Sequence, residues 1–213
     1  ADEVIKIAER EKVDHVMFLG DLCDGDTVRS HRAVALAVSV ATRLTARGIP
    51  SSWMTGNHDV LEDGSGSSTL AAIAEVGGKA TLIDEPRAGF LCGAWAVVLP
   101  YVSRCRSYDP AEFGRRARAE LDKDRPVIVL AHLNVAGIAP GSETHDMPRG
   151  RDVFLPTAAI SECFPDARVI SGHYHRRQVW TSAEGVEVHV VGSPERFTFG
   201  EIDNEPAFLM MEW

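Results

Sequence analysis

Two short stretches, Gly20-Asp21-Leu22-Cys23-Asp24 and Gly56-Asn57-His58-Asp59, most constrain what this chain can fold into. Each closes an apolar run of strand length, Val13 to Leu19 before the first and Ile49 to Met54 before the second. Between them, Ser30 to Arg47 spaces alanine, leucine and valine at roughly helical intervals and stops at Gly48. The pattern predicts a strand, a helix and a second strand, with glycine and polar side chains at the carboxyl ends of both strands. In an open α/β sheet that edge is where ligands bind.

The arrangement recurs twice. His132 follows the apolar run Val127 to Leu130, and Gly172-His173-Tyr174-His175 follows Ala167 to Ile170. Four strand ends would then deliver the carboxylate of Asp21, the amide of Asn57 and the imidazoles of His132, His173 and His175 to one rim. Such a mixed oxygen and nitrogen set suits manganese, iron or zinc. A pair of such ions polarises a phosphoryl group and activates a water.

The order GDxxD, GNHD, a strand-end His and GHxH resembles the calcineurin-like metallophosphoesterase superfamily, from about Val13 to Ser193. The resemblance implies an α/β fold, a four-layer α/β/β/α sandwich, and hydrolysis of phosphate esters with two divalent metal ions. It implies that Asp21 bridges the metals, that Asn57, His132 and His173 complete one site, and that His175 belongs to the other. His58 would be the acid that protonates the leaving oxygen, with Asp24 orienting it. The family opens with an Asp-x-His strand that completes the first metal site. Here Ala1 to Glu11 reads as a helix, so the expectation is a sequence beginning just after that strand.

The 213 residues, 45% hydrophobic and 25% charged, suit one α/β domain spanning 1–213 with no capping domain. No segment approaches the roughly 18 to 20 apolar residues of a membrane span. The four cysteines form no CxxC pair, and reduced thiols in a cytoplasm explain them most simply. Cys23 reads as a small buried residue rather than a ligand. The net charge of -9 works against a nucleic-acid partner, although site carboxylates that hold dications offset part of it. Arg149, Arg176 and Arg177 are candidates for phosphate contact, whereas the cluster at Arg115, Arg116 and Arg118 reads as a solvated helix face.

Further elements follow in order. Leu70 to Val76 reads as a short helix, Ala80 to Ile83 and a hairpin over Phe90 to Leu99 as a second sheet, and Pro110 to Leu121 as a helix. Asn134 to Arg151 has no period and reads as a substrate-facing flap. Gln178 to Thr181, Val186 to Val191 and Ala207 to Glu212 read as antiparallel strands. Gly192-Ser193-Pro194 followed by Arg196 and Phe199-Gly200-Glu201, together with His132-Leu133-Asn134-Val135-Ala136-Gly137, is similar to SbcD-type DNA nucleases. That implies a Mn-dependent exo- or endonuclease, DNA as substrate, an SbcC-type coiled-coil ATPase partner and a homodimer. The alternatives are a metallophosphoesterase for small phosphodiesters or phosphoproteins, and a non-catalytic scaffold of the same fold.

Overall fold

A computed structural model describes residues 2–23, 27–61, 65–122, 124–139, 153–196 and 198–213. The chain divides into two compact units, Ala1–Glu85 with Pro100–Ser107, and Pro86–Leu99 with Tyr108–Trp213. Both combine sheet and helix, so the α/β class expected from the sequence holds.

In the first unit, α1 (Asp2–Arg10) precedes β1 (Val16–Phe18), α2 (Thr27–Ala46) and β2 (Ser51–Met54). A 3-10 segment (Thr69–Val76) then leads to β3 (Ala80–Ile83). The sheet is parallel in the order β1-β2-β3, with Phe18 opposite Trp53 and Trp53 opposite Leu82. Ala37, Val40, Ala41 and Leu44 form a stripe one helical face wide on α2 and pack with Ile5 and Trp53 in the core. Val40 is therefore core-facing, while Leu36 is exposed. The parallel crossover from β1 to β2 puts the two glycine-led motifs beyond neighbouring strand ends.

In the second unit, β4 (Arg87–Leu91) and β5 (Ala94–Leu99) form the expected hairpin. They are followed by α3 (Pro110–Glu120), β6 (Val127–Ala131), α4 (Thr157–Cys163), β7 (Arg168–Ser171), β8 (Gln178–Thr181) and β9 (Glu187–Val190). The strand order is β4-β5-β6-β7-β9-β8, parallel through β5, β6, β7 and β9 with antiparallel strands on either side. Ala131 lies opposite Ser171, so His132 and Gly172-His173 leave adjacent parallel strands at matched heights. The core between this sheet and its helices includes Val97, Val129, Ile160, Phe164, Val169 and Val188.

Two expectations are corrected. β3 is not part of the hairpin sheet. It pairs in parallel with β2, because Gly77-Gly78, both at positive φ, turn the chain back alongside it. Ala207 to Glu212 is not a strand. Its alternating apolar residues lie without ladder pairing, and Phe208, Leu209 and Met210 stay partly exposed. Arg168 Nη1 donates to the Glu212 carbonyl at 3.2 Å, so a side chain tethers the tail instead.

Candidate functional site

After β1 the backbone turns sharply at Gly20 (φ 92°) and Asp21 (φ 55°). The left-handed conformation is uncommon for a residue with a Cβ and persists only where its surroundings over-determine it. Here they do. The Asp21 N–H donates to Asp59 Oδ2 at 2.7 Å, while Asp21 Oδ1 accepts from the His58 N–H at 2.9 Å. Asp59 itself is fully buried. Its carboxylate also accepts from the N–H groups of Cys23 and Gly56, both at 2.9 Å. One carboxylate thus ties the turn after β1 to the turn after β2, placing Asp21, Asn57 and His58 on a shared backbone frame. Cys23 is buried among apolar side chains, and burial pushes its thiol pKa up, as expected of a packing residue and not of a ligand thiolate.

In the second unit, the His132 N–H donates to the Leu99 carbonyl at 3.0 Å, and the Gly172 N–H to the Ala131 carbonyl at 3.0 Å. These bonds extend the β5-β6-β7 ladder one residue past its strands. His132 is buried, and its ring lies 5.0 Å, centroid to centroid, from that of His173. Their donor nitrogens lie within 4.8 Å of each other, a spacing one ion can span. His173 adopts φ 75°, a second left-handed residue. Its Nε2 is 3.2 Å from Asn134 Oδ1. An amide oxygen only accepts, so Nε2 carries the proton and Nδ1 the lone pair.

Between the two histidines of GHxH, Tyr174 points into the core, and its Oη accepts from the Val135 N–H at 2.9 Å. That bond holds the segment after β6 to the segment after β7. His175 is placed by its carbonyl, which accepts from Ser193 N at 2.9 Å and Asn204 Nδ2 at 3.3 Å. Its Nδ1 lies 2.8 Å from Oε1 of the buried Glu201. Gly192 lies close against the chain after His175: a Cβ there would sit 2.8 Å from the Arg177 amide nitrogen, and its φ is 82°. Gly192-Ser193 is therefore more than a connection between strands.

Of the other expected site residues, Arg176 and Arg177 are exposed beside the histidines in sequence, whereas Asp24 and Arg149 lie outside the described residues. So does most of the expected flap. Three supporting residues carry no sequence signal of their role: Asp59, Asn134 and Glu201. Asp59 closes the GNHD motif, yet nothing in a linear string shows that it binds a turn 38 residues earlier. Glu201 stands 26 residues beyond His175, too far along the chain for any spacing to pair the two.

His173 and His175 each have an acceptor at one ring nitrogen, which leaves the other nitrogen of each suited to a divalent metal of the manganese, iron or zinc class.

A family model described as calcineurin-like phosphoesterase matches residues 1–177. Sequence comparison with curated proteins finds no match. Among solved structures, a protein of Thermus thermophilus is similar at 19% identity, covering 90% of this chain and 82% of that one, with a TM-score of 0.54. A dimetal phosphatase from Danio rerio is similar at 18% identity, covering 90% of this chain and 76% of that one, with a TM-score of 0.56. At these identities the likeness is one of fold.

Proposed function

Because the chain belongs to the calcineurin-like phosphoesterase family, we propose that it is a two-metal phosphodiesterase whose substrate is DNA, of the SbcD type. Asp21, Asn57, His132 and His173 are its ligands for one ion, and Asp21 and His175 contribute to the other. The bound ions, Mn²⁺ in this reading with Fe or Zn as substitutes, supply the electrophilic charge and activated water that phosphodiester hydrolysis requires. His58 delivers a proton to the departing sugar oxygen, and Asp24 orients it. Arg149, Arg176 and Arg177 contact the phosphate backbone without reading sequence. An SbcC-type ATPase partner, a homodimer and a cytoplasmic location belong to the same proposal.

One observation carries the choice of DNA over other phosphate esters. The two segments that resemble SbcD-type nucleases contribute the side chains that hold the histidines. Asn134 of the stretch beginning at His132 engages His173, and Glu201 of Phe199-Gly200-Glu201 engages His175. These contacts support the reading, because the two segments hold the histidines in this chain and do not merely form turns.

The test is degradation of linear double-stranded DNA by the full-length chain with Mn²⁺, beside a small chromogenic phosphodiester and a His58→Ala variant. Loss of a general acid is expected to slow DNA turnover by about 10²- to 10⁴-fold. Chelation should abolish it. Turnover of the small diester without DNA degradation would transfer the assignment to small phosphodiesters. Absence of both activities from a chain shown to bind metal would reduce the reading to a scaffold with this fold.

A further inference from the structure

Glu201 is 1% exposed. A carboxylate withdrawn so far from water requires partners, because an unsatisfied buried charge is strongly unfavourable. Its Oε1 lies 2.8 Å from His175 Nδ1 and 3.4 Å from Thr198 Oγ1. The Glu201 N–H donates to the Thr198 carbonyl at 3.1 Å, and the Asn204 N–H to the Glu201 carbonyl at 2.9 Å. The 3-10 turn Phe199–Glu201 is thus tied at both ends, and its carboxylate lies against Nδ1 of His175, on the side of the ring away from Nε2.

We infer that Glu201 is the positioning residue that makes His175 a metal ligand, holding the imidazole as the Nδ1–H tautomer so that Nε2 carries the lone pair. The inference rests on the two-metal reading above. An ionised carboxylate accepts but does not donate, so a ring N–H must face it. The same contact makes the imidazole a more basic ligand and removes the entropy of ring rotation. Asn134 provides the corresponding acceptor for His173, but as a neutral amide acting on Nε2. The two histidines of GHxH therefore present opposite ring nitrogens. Glu201 acts on only one of the two metal positions, the one to which His175 belongs.

Two measurements test this in the full-length chain. Long-range ¹H–¹⁵N correlation spectra of the metal-free protein report imidazole tautomers directly, and His175 is expected as Nδ1–H. Finding Nε2–H there would overturn the inference whatever the metal does. Mn²⁺ titration calorimetry then compares wild type with Glu201→Gln, which keeps the volume and an acceptor oxygen but loses the charge. The variant is expected to weaken one Mn²⁺ site by about 10- to 100-fold and to leave the other unchanged. Equal weakening of both sites, or no weakening of either, would overturn it. A wild-type chain that binds no Mn²⁺ would overturn the phosphoesterase reading itself, and the tautomer would then decide the orienting role alone.

Discussion

Asp59 shows how a buried charge organises a site without touching substrate. Its carboxylate accepts three backbone N–H groups, from Asp21, Cys23 and Gly56. Hydrogen bonds to a charged acceptor stabilise by more than neutral ones, and a donor left unsatisfied in the interior is destabilising. Asp59→Asn retains one acceptor oxygen and turns an NH₂ toward donors, so unfolding free energy should fall by about 2–3 kcal/mol in urea denaturation. His15 makes a prediction of a different kind. Burial lowers its pKa from the ordinary value of 6.5, and its Nε2 lies 3.0 Å from Ser52 Oγ. As pH falls through about 6.5 the unfolded chain binds the proton first, so stability declines with falling pH through that region. Denaturation midpoints measured on either side of pH 6.5 should show this slope, and His15→Gln should flatten it.

At the scale of elements, α3 and the Thr69–Val76 segment begin where a side chain satisfies their first N–H groups, whereas α4, preceded by Pro156, has no such cap. Asp109 Oδ1 accepts from Ala111 N at 2.8 Å and Glu112 N at 3.1 Å, with Pro110 opening α3. Asp109→Ala removes this cap and should lower stability by about 1 kcal/mol, read as a decrease in thermal midpoint. α3 was legible within one residue, as Pro110 to Leu121 against the observed Pro110–Glu120. The Thr69–Val76 segment was legible as a short helix over Leu70 to Val76, one residue inside its start, where Ser68 Oγ accepts from Leu70 N at 3.0 Å. The tail at Ala207 to Glu212 was not. Its apolar pattern fits a strand, but pairing depends on which neighbour has an open edge, and local propensity carries no such information.

For the whole molecule, the net charge of -9 makes any polyanionic partner depend on local basic groups. Arg106 is occupied by Asp84 at 3.3 Å and Glu85 at 3.5 Å, and Arg115 and Arg116 lie exposed along α3. Among the described residues no helix is long and apolar enough to cross a membrane. The four cysteines form no disulfide, with Cys92 and Cys105 exposed and Cys23 and Cys163 buried. Burial raises the pKa of both Cys23 and Cys163, which lowers their thiolate fraction. Ellman's reagent should therefore modify two thiols rapidly in the native chain and the remaining two only on unfolding. Four rapid reactions would contradict the packing of both cores.

What the sequence determined by itself was local and periodic. Strand, helix and turn signals located β1, α2, β2, β6 and β7, and the polar residues just past the strands marked Asp21, Asn57, His132 and His173 as candidates. These signals lie within a few residues of one another, where spacing alone constrains geometry. Only the tertiary structure placed β3 beside β2, brought Asp59 under two turns, and set Asn134 and Glu201 against His173 and His175. Such pairs join residues tens of positions apart. Their meeting depends on strand order and register, and no linear pattern encodes either at that distance.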